Sequence, residues 1–342
     1  MKLSVIVPVY NMAADNKLSF CLDSLVNQTL SDMEIIAVDD CSTDESLSIL
    51  KSYEEKYPEK FRVFQTLENK RQGGAKNVGL SYAKGEWIGF IDSDDWITSD
   101  YYERLIKAAE DMGADMAGCD YQLVDSHTFE PGKHVPNNTL EQAGDLDEAK
   151  YKSLILDSGS LVVKIYRREN IIDYPNRFPE HIFYEDNAIS NSWMLRAHKF
   201  AYIPEPMYYY YQHNTSTVHT ITTERLNDRR EAGRVMIKEA KEFGFYDKYK
   251  AEIEYSFTVL FYINTLMSYM FGVKNCKLSY VRELGKEMKE FFPDFQSNLY
   301  FLERTDAENK KLIALQQKSS LLFVLYFKAL WAYRNFRKRG MK

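Results

Sequence analysis

The segment that most constrains this chain runs from Trp87 to Trp96, where an apolar run leads directly into a cluster of acids. Its aromatic and β-branched residues do not alternate with polar ones, which predicts a strand buried on both faces. Three carboxylates then fall within four positions: Asp92, Asp94 and Asp95. They repel one another unless a cation lies among them, and oxygen ligands at this density suit Mg²⁺ or Mn²⁺. The alternative is an acidic turn that only ends the strand.

Strand and helix patterns alternate on both sides of this segment. Apolar, β-branched runs predict strands over residues 3–10, 33–38, 61–64, 87–91 and 116–121. Apolar residues at helical spacing predict helices between them, around residues 18–25, 47–53, 75–82 and 101–112. This rhythm indicates a doubly wound, mainly parallel α/β sheet of Rossmann-like type, joined by right-handed crossovers. Ligands of such sheets bind at the carboxyl ends of the strands.

The pattern changes after residue 219. We expect an α/β domain over residues 1–219 and a helical C-terminal region over residues 220–342, where long helical segments such as 224–243 and 250–271 occur. Residues 125–150 are polar and interrupted by Pro, Gly and Asn. They predict a long surface loop in a position to cover the site.

Charge and cysteine content restrict the partners and the compartment. The 342 residues carry a net charge of −6, which argues against nucleic acid as a partner. The four cysteines are scattered without metal-binding spacing, as in proteins of a reducing compartment. No run reaches the ~18 apolar residues that span a bilayer, and the N-terminal segment does not resemble a signal peptide. We therefore expect a cytoplasmic protein.

A second pair of acids follows the strand predicted at residues 33–38. Asp39 and Asp40 are expected to line a crevice at the top of the sheet, together with Pro8 and Tyr10 from the first strand. Carboxylates in this position can accept hydrogen bonds from a base imide or from ribose hydroxyls. The alternative is a local turn that caps the next helix.

The stretch from Gln72 to Asn77 places two glycines before a predicted helix. Gly73 and Gly74 would expose backbone N–H groups to an anion, and Lys76 would add positive charge near a diphosphate. The stretch is not a P-loop, because no Gly-Lys-Ser/Thr follows at the required spacing. A plain helix start explains it equally well.

Two further groups lie near the end of the predicted α/β domain. Asp186 follows two aromatic residues and begins a helix, whose dipole would keep the carboxylate ionised, as a general base requires. The simpler interpretation is a helix cap. His213, after the tyrosines 208–211, is a candidate metal ligand or phosphate contact, although a lone histidine is more often structural.

In this order, the motifs resemble those of inverting family 2 glycosyltransferases with the GT-A fold. The resemblance covers roughly residues 1–215 and is carried by five stretches: Ser4–Asn11, Val38–Asp44, Gly73–Gly79, Asp92–Asp95 and Glu185–Asp186. Cys41 stands where the family usually has glycine, and Lys76 where arginine is more common. The motifs are specific together, whereas each alone is weak.

The resemblance implies a metal-dependent transfer of sugar from a nucleotide-sugar, a UDP-sugar by preference, to a hydroxyl of a saccharide or lipid-linked acceptor in bacterial cell-surface glycan synthesis. Asp40 would contact the uracil and Asp186 would deprotonate the acceptor. The donor-binding residues would be Pro8, Tyr10, Asp39, Asp40, Gly74, Lys76, Asn77, Asp92, Ser93 and Asp94. Asp94 and Asp95 would be ligands of Mn²⁺ or Mg²⁺. The residue pattern adds His213 as a candidate third ligand.

Two other functions use a similar sheet. A sugar-phosphate nucleotidyltransferase would require a glycine- and arginine-rich loop after the first strand, and residues 10–13 do not form one. A nucleotide-sugar-binding module without turnover would not need the acids at 92, 94, 95 and 186.

The C-terminal segment 320–342 combines apolar and aromatic residues with a basic cluster. This pattern is typical of an interfacial helix on the cytoplasmic face of a membrane. A helix packed on protein is an equally good interpretation.

Overall fold

The computed structural model of the chain describes residues 1–212 and 221–339, so His213 lies outside the described residues. The chain divides into two compact units, residues 1–216 and 217–342. Within the described ranges, none of the helices is both long and apolar enough to cross a bilayer.

Among the described residues, ten strands of the first unit form one sheet. They are β1 Leu3–Val9, β2 Met33–Asp39, β3 Phe61–Gln65, β4 Trp87–Phe90, β5 Trp96–Ile97, β6 Met116–Val124, β7 Lys133–Val135, β8 Gly144–Asp145, β9 Lys164–Arg167 and β10 Lys199–Tyr211. Their order across the sheet is β3-β2-β1-β4-β9-β6-β10-β5, with β7 beside β6 and β8 beside β10. β1 to β4 pair in parallel, whereas β9 runs antiparallel to both β4 and β6. The predicted doubly wound sheet is confirmed. The part of the sheet that contains β9, β6, β10 and β5 has both parallel and antiparallel pairs.

The helices of the first unit cover the two faces of this sheet. They are α1 Lys17–Val26, α2 Ser46–Lys56, α3 Arg71–Tyr82, α4 Tyr101–Met112, α5 Glu148–Leu156 and α6 Glu185–Met194. Every residue of β1, β2 and β4 is buried, as the unbroken apolar runs predicted for strands covered on both faces. Pro8 breaks no pairing with β4, because that pairing ends at Ile6 of β1.

Residues 125–150 lie mostly at the surface, as predicted, but they are not one long loop. They contribute β7 and β8 to the sheet and begin α5. Their polar side chains are partly buried because they satisfy one another: Asn138 donates to Gln142 Oε1 at 2.9 Å, and both are about 95% or more buried. Composition alone could not show this pairing, since the same residues in a loop would bond to water.

The second unit is helical within its described residues, as predicted. Its helices are α7 Thr223–Glu242, α8 Lys250–Phe257, α9 Asn264–Gly272, α10 Leu278–Phe291, α11 Leu299–Arg304, α12 Ala307–Lys318 and α13 Ser320–Arg339. A π-helical segment, Thr258–Ile263, joins α8 to α9. Arg230 of α7 pairs with Glu283 and Glu287 of α10, at 3.0 and 2.5 Å, which ties these two helices together.

Candidate functional site

The candidate site lies at the carboxyl ends of three neighbouring strands. β1 is flanked in parallel by β2 and β4, so the residues that follow these strands meet at one edge of the sheet. They are Tyr10 after β1, Asp40 after β2 and Asp92 after β4. Tyr10 is 44% exposed, whereas Pro8 is buried inside β1.

Asp39 and Asp40 are buried carboxylates that each use one oxygen in hydrogen bonds. Asp39 Oδ2 accepts from the Ser42 N–H at 3.2 Å and from Gln65 Nε2 at 3.0 Å. Asp40 Oδ1 accepts from the Thr66 hydroxyl and from a backbone N–H, both at 2.9 Å. The second oxygens, Asp39 Oδ1 and Asp40 Oδ2, are buried without a partner among the described residues.

The end of β2 thus carries two buried acceptor oxygens without donors among the described residues. Burial raises the pKa of Asp40, although hydrogen bonds from the Lys70 N–H and the Thr66 hydroxyl oppose the rise. A buried acceptor without a donor costs about 1–3 kcal/mol, and more when it is charged. A ligand that brings N–H or O–H donors to Asp39 and Asp40 would recover this free energy.

A second group of charges lies where α3 and α6 begin. Lys76 Nζ donates to Glu185 Oε1 at 2.7 Å, and both side chains are at least 95% buried. The ammonium also lies 5.2 Å from the ring centre of Phe178. α3 and α6 are thus joined by a buried ion pair directly beside the acids that follow β4.

The charge of Asp92 depends on this neighbourhood. Burial raises the pKa of Asp92 to about 7, against the opposing charge of Lys76. Three carboxylates add to the rise by repulsion: Asp94, Glu185 and Asp186. The acids after β4 and those at the start of α6 therefore share one site, and one lysine does not neutralise them.

Asp186 is the second residue of α6, and its Oδ1 accepts the Asn187 N–H at 2.8 Å. Burial raises the pKa of Asp186, and the charge of Glu185 raises it further, while Lys76 opposes the rise. Burial and the charge of Glu185 set the direction of this pKa shift. A carboxylate with a raised pKa is the stronger base.

Comparison with known proteins places this arrangement in a family. Residues 4–172 match the family described as Glycosyl transferase family 2. The chain is 32% identical over 235 residues to the uncharacterized glycosyltransferase YibD of Escherichia coli, and the match covers 67% of each protein. The chain belongs to glycosyltransferase family 2.

Two further comparisons show a similarity to a longer relative and to a solved structure. The chain is 33% identical over 214 residues to the poly(ribitol-phosphate) beta-glucosyltransferase of Bacillus spizizenii, covering 61% of this chain but only 32% of that relative. A crystal structure of S. aureus TarS 1–349 in complex with UDP superimposes with a TM-score of 0.70 at 22% identity, covering 98% of this chain and 92% of the TarS chain. The GT-A fold expected from the resemblance is therefore confirmed.

In this family 2 glycosyltransferase, Asp95 is buried, although the sequence predicted it to be a metal ligand. It is 1% exposed, and its two oxygens accept from the Tyr208 hydroxyl at 2.7 Å and the Tyr211 N–H at 2.9 Å. Asp95 thus fastens the end of β10 to the turn after β4. Ser93 between the acids is also buried. Asp92 and Asp94 remain partly exposed and can offer oxygens to a ligand.

Three of the predicted donor-binding residues make close contacts within the protein: Gly74, Lys76 and Asn77. Lys76 is buried in its ion pair, and Asn77 Nδ2 donates to the carbonyl of Phe178 at 2.9 Å. α3 begins at Arg71, so both glycines lie inside its first turns. A Cβ on Gly74 would meet the Lys70 side chain at 2.2 Å, so glycine here serves close packing.

Several residues near these acids were not among the predicted site residues. Gln65 and Thr66, at the end of β3, hold Asp39 and Asp40. Gln72 Nε2 lies 3.4 Å from Asp92 Oδ1. The Arg71 guanidinium lies 4.2 Å from the ring centre of Phe183. Their contacts join segments that are distant in sequence. The sequence therefore gives only a weak signal for them, namely an amide or a cation close to a recognised motif.

Proposed function

We propose that this protein transfers a sugar from a UDP-sugar to a hydroxyl of a saccharide or lipid-linked acceptor, with inversion at the anomeric carbon and with a divalent cation. One observation carries the proposal. The unpaired acceptor oxygens of Asp39 and Asp40 lie at the same sheet edge as the acid group that contains Asp92 and Asp186. A nucleoside diphosphate with a sugar attached has donors for the first group and negative charge to be balanced at the second.

Asp39 and Asp40 would bind the nucleoside. The uracil imide N–H and a ribose hydroxyl are the donors that two buried carboxylate oxygens lack. Tyr10, which is exposed at the end of β1, would pack against the base. Support for the choice of uracil comes from TarS, which has the same fold and whose structures contain UDP or UDP-GlcNAc.

The carboxylate oxygens after β4 suit a divalent cation. The described side chains alone, however, do not form a complete set of ligands for one. Within the described residues, no group of three or more His, Cys, Asp or Glu side chains is arranged to hold a metal ion. Asp92 and Asp94 would therefore share the cation with the diphosphate of the donor. Their hard oxygen donors and the raised pKa of Asp92 favour Mg²⁺ or Mn²⁺. When bound, the cation would stabilise the charge on the departing nucleoside diphosphate.

Asp186 would be the general base. Its carboxylate would take the proton of the acceptor hydroxyl while the hydroxyl oxygen attacks the anomeric carbon. The bond from that carbon to the diphosphate breaks, and the electron pair leaves with the diphosphate oxygen. Attack from the side opposite to the leaving group inverts the configuration. Phe183 and Tyr184, directly before α6, would limit access of competing water.

The acceptor class is proposed from relatives. Poly(ribitol-phosphate) beta-glucosyltransferase is named for a poly(ribitol-phosphate) acceptor, and the match to it covers 61% of this chain. We therefore place this protein in the synthesis of a bacterial cell-surface polysaccharide. A module that binds donor without turnover is the alternative, and the basic Asp186 beside the donor site argues against it.

The proposal is tested by incubating the protein with single UDP-sugars, GDP-mannose as an unmatched donor, a mixture of lipid-linked and free saccharide acceptors, and Mn²⁺ or EDTA. We expect one UDP-sugar to yield a glycosylated product of inverted configuration, by mass spectrometry and NMR, only with the cation. Tight UDP binding without any product would support the binding module. Product from GDP-mannose alone, or full activity in EDTA, would contradict the assignment of the nucleotide or of the metal.

A further inference from the structure

The last helix of the second unit has an exposed face that is unusually apolar. α13 packs one side against its neighbours through Phe323 and Phe327, which are 0% and 2% exposed. Six apolar or aromatic side chains of α13 are more than half exposed: Leu321, Leu322, Leu325, Tyr326, Tyr333 and Phe336. We refer to these six residues as the exposed stripe.

The exposed stripe is continuous. At 3.6 residues per turn its members fall on the side of α13 opposite to Phe323, and Ala329 and Ala332 fill the positions between them. The stripe is roughly 22 Å long at a rise of 1.5 Å per residue. By the same spacing, Lys328 and Arg337 lie on its two borders, and both are exposed. Contiguous apolar surface with a polar rim marks an interaction site.

A basic cavity opens at the N-terminal end of the stripe. It encloses about 400 Å³ between α10 and the junction of α12 with α13, and Leu321 of the stripe forms part of its wall. Four cationic side chains line it: Arg282, Lys286, Lys289 and Lys318. Its lining includes no acid from the described residues. Lys286 pairs with Glu290 at 3.4 Å on the surface of α10, whereas the other three have no ion pair within the described chain.

The two features fit one kind of partner. Four cations around one cavity suit a phosphate group, and the apolar stripe beside it suits acyl chains at the boundary with the headgroups. The basic border residues Lys328 and Arg337 suit a surface of negative charge. We propose that α13 and the basic cavity dock this protein on an anionic phospholipid surface, with a lipid phosphate in the cavity and the exposed stripe in the interface.

Charge complementarity favours a lipid surface over a second protein. The central part of a protein interface is depleted of charged residues, and the members of the stripe are flanked by cations at one end and along both borders. An amphipathic helix that lies in the interface plane has this composition, with Lys and Arg beside a face of Leu, Phe and aromatic residues. The proposal does not depend on the catalytic assignment, because the binding can be measured without turnover.

The test is flotation of the full chain with vesicles of phosphatidylcholine alone or with one third phosphatidylglycerol. We compare three variants with the wild type. The stripe variant is Leu325→Ser with Phe336→Ser, the cavity variant is Arg282→Gln, Lys289→Gln and Lys318→Gln, and the matched control is Lys238→Gln, Lys248→Gln and Lys250→Gln. The control removes the same charge from exposed lysines of the same unit that do not line the cavity. All substituted side chains are exposed, so circular dichroism and the Tm should match the wild type.

We expect the wild type to float with the anionic vesicles and far less with the neutral ones. Each basic residue near an anionic surface contributes to binding, so the cavity variant should bind at least about tenfold more weakly. The stripe variant should lose binding to a similar degree, and the control should stay within about twofold of the wild type.

Three results would overturn the proposal. The first is a wild type that does not float, or variants that float as well as the control. The second is a Tm raised by inorganic phosphate through the cavity residues without any flotation, which would make the cavity a site for free anions. The third is a wild-type dimer in light scattering that the stripe variant dissociates, again without flotation, which would make the stripe a contact between copies.

Discussion

The two acid groups of the site follow neighbouring strands of the same sheet, yet they differ in how their charge is held. Asp39 and Asp40, at the end of β2, receive neutral donors such as Gln65 and Thr66, and each has one buried oxygen without a partner in the described part of the chain. After β4, Asp92 receives few neutral donors and lies among other carboxylates and one buried lysine.

Acids that follow an apolar strand can therefore differ in the kind of ligand they favour. Carboxylates surrounded by neutral donors become specific acceptors, because a ligand must match them in hydrogen-bond geometry. Carboxylates crowded by like charge respond to any cation or proton, because the gain is electrostatic. Substitutions that remove charge but keep shape should therefore act differently in the two groups.

The largest expected effect belongs to the crowded group. Asp186→Asn keeps the shape and the helix start but removes the basic oxygen, so the turnover rate should fall about 10²–10⁴-fold. Single-turnover kinetics with the identified UDP-sugar measure this loss. UDP binding and the Tm should remain close to the wild type. Asp147→Asn, the same change at the start of α5, serves as control and should keep full activity. If Asp186→Asn retains activity within a few-fold, Asp186 only caps the helix.

The next effect concerns the buried ion pair that supports this group. Lys76→Met leaves Glu185 buried without its cation and should lower the free energy of unfolding by about 3–5 kcal/mol in urea denaturation. The double variant with Glu185→Leu should recover most of the loss. Lys70→Met breaks the more exposed pair with Glu180 and should change stability little. Equal losses in the two lysine variants would mean that burial does not decide the strength of the pair.

A smaller effect is expected at the neutral-donor group. Asp40→Asn removes a charged acceptor, so UDP should bind about 10–100-fold more weakly by calorimetry. Because this contact does not involve the cation, the factor should be the same in Mn²⁺ and in EDTA. Asp94→Asn should instead remove only the gain in UDP affinity that Mn²⁺ gives. Glu45→Gln, which changes an exposed acid, is the control and should alter neither the UDP affinity nor its dependence on Mn²⁺. A loss in Asp40→Asn that appears only with Mn²⁺ would erase the distinction between the groups.

The smallest effect is a pH dependence of stability. Folding raises the pKa of Asp92, so the native state binds more protons than the unfolded state between pH 3.8 and about 7. This stabilisation is complete below pH 3.8 and is lost as the pH rises through about 7. Asp92→Asn in EDTA should therefore raise stability more at pH 8 than at pH 5, by a difference on the order of 1 kcal/mol. Equal changes in Tm at the two pH values would contradict a raised pKa.

The periodic parts of the sequence predicted most of the fold. The helix at 101–112 and the strands that begin at 33, 61, 87 and 116 were predicted within a few residues, because fully buried strands and amphipathic helices leave strong local patterns. The prediction for residues 125–150 missed two short strands and a buried polar cluster, because some of the polar residues are satisfied by one another and by the sheet. Local composition cannot distinguish such partners from water.

The sequence by itself also located both acid groups and Asp186, since acids after apolar strands and before a helix are local features. Tertiary structure decided which groups each acid contacts. Asp95 bonds to Tyr208, 113 positions away, and Lys76 to Glu185, 109 positions away. A carboxylate is a metal ligand, a hydrogen-bond acceptor or a structural tie according to the donors and charges brought to it. Those neighbours come from distant segments, and only the folded chain brings them together.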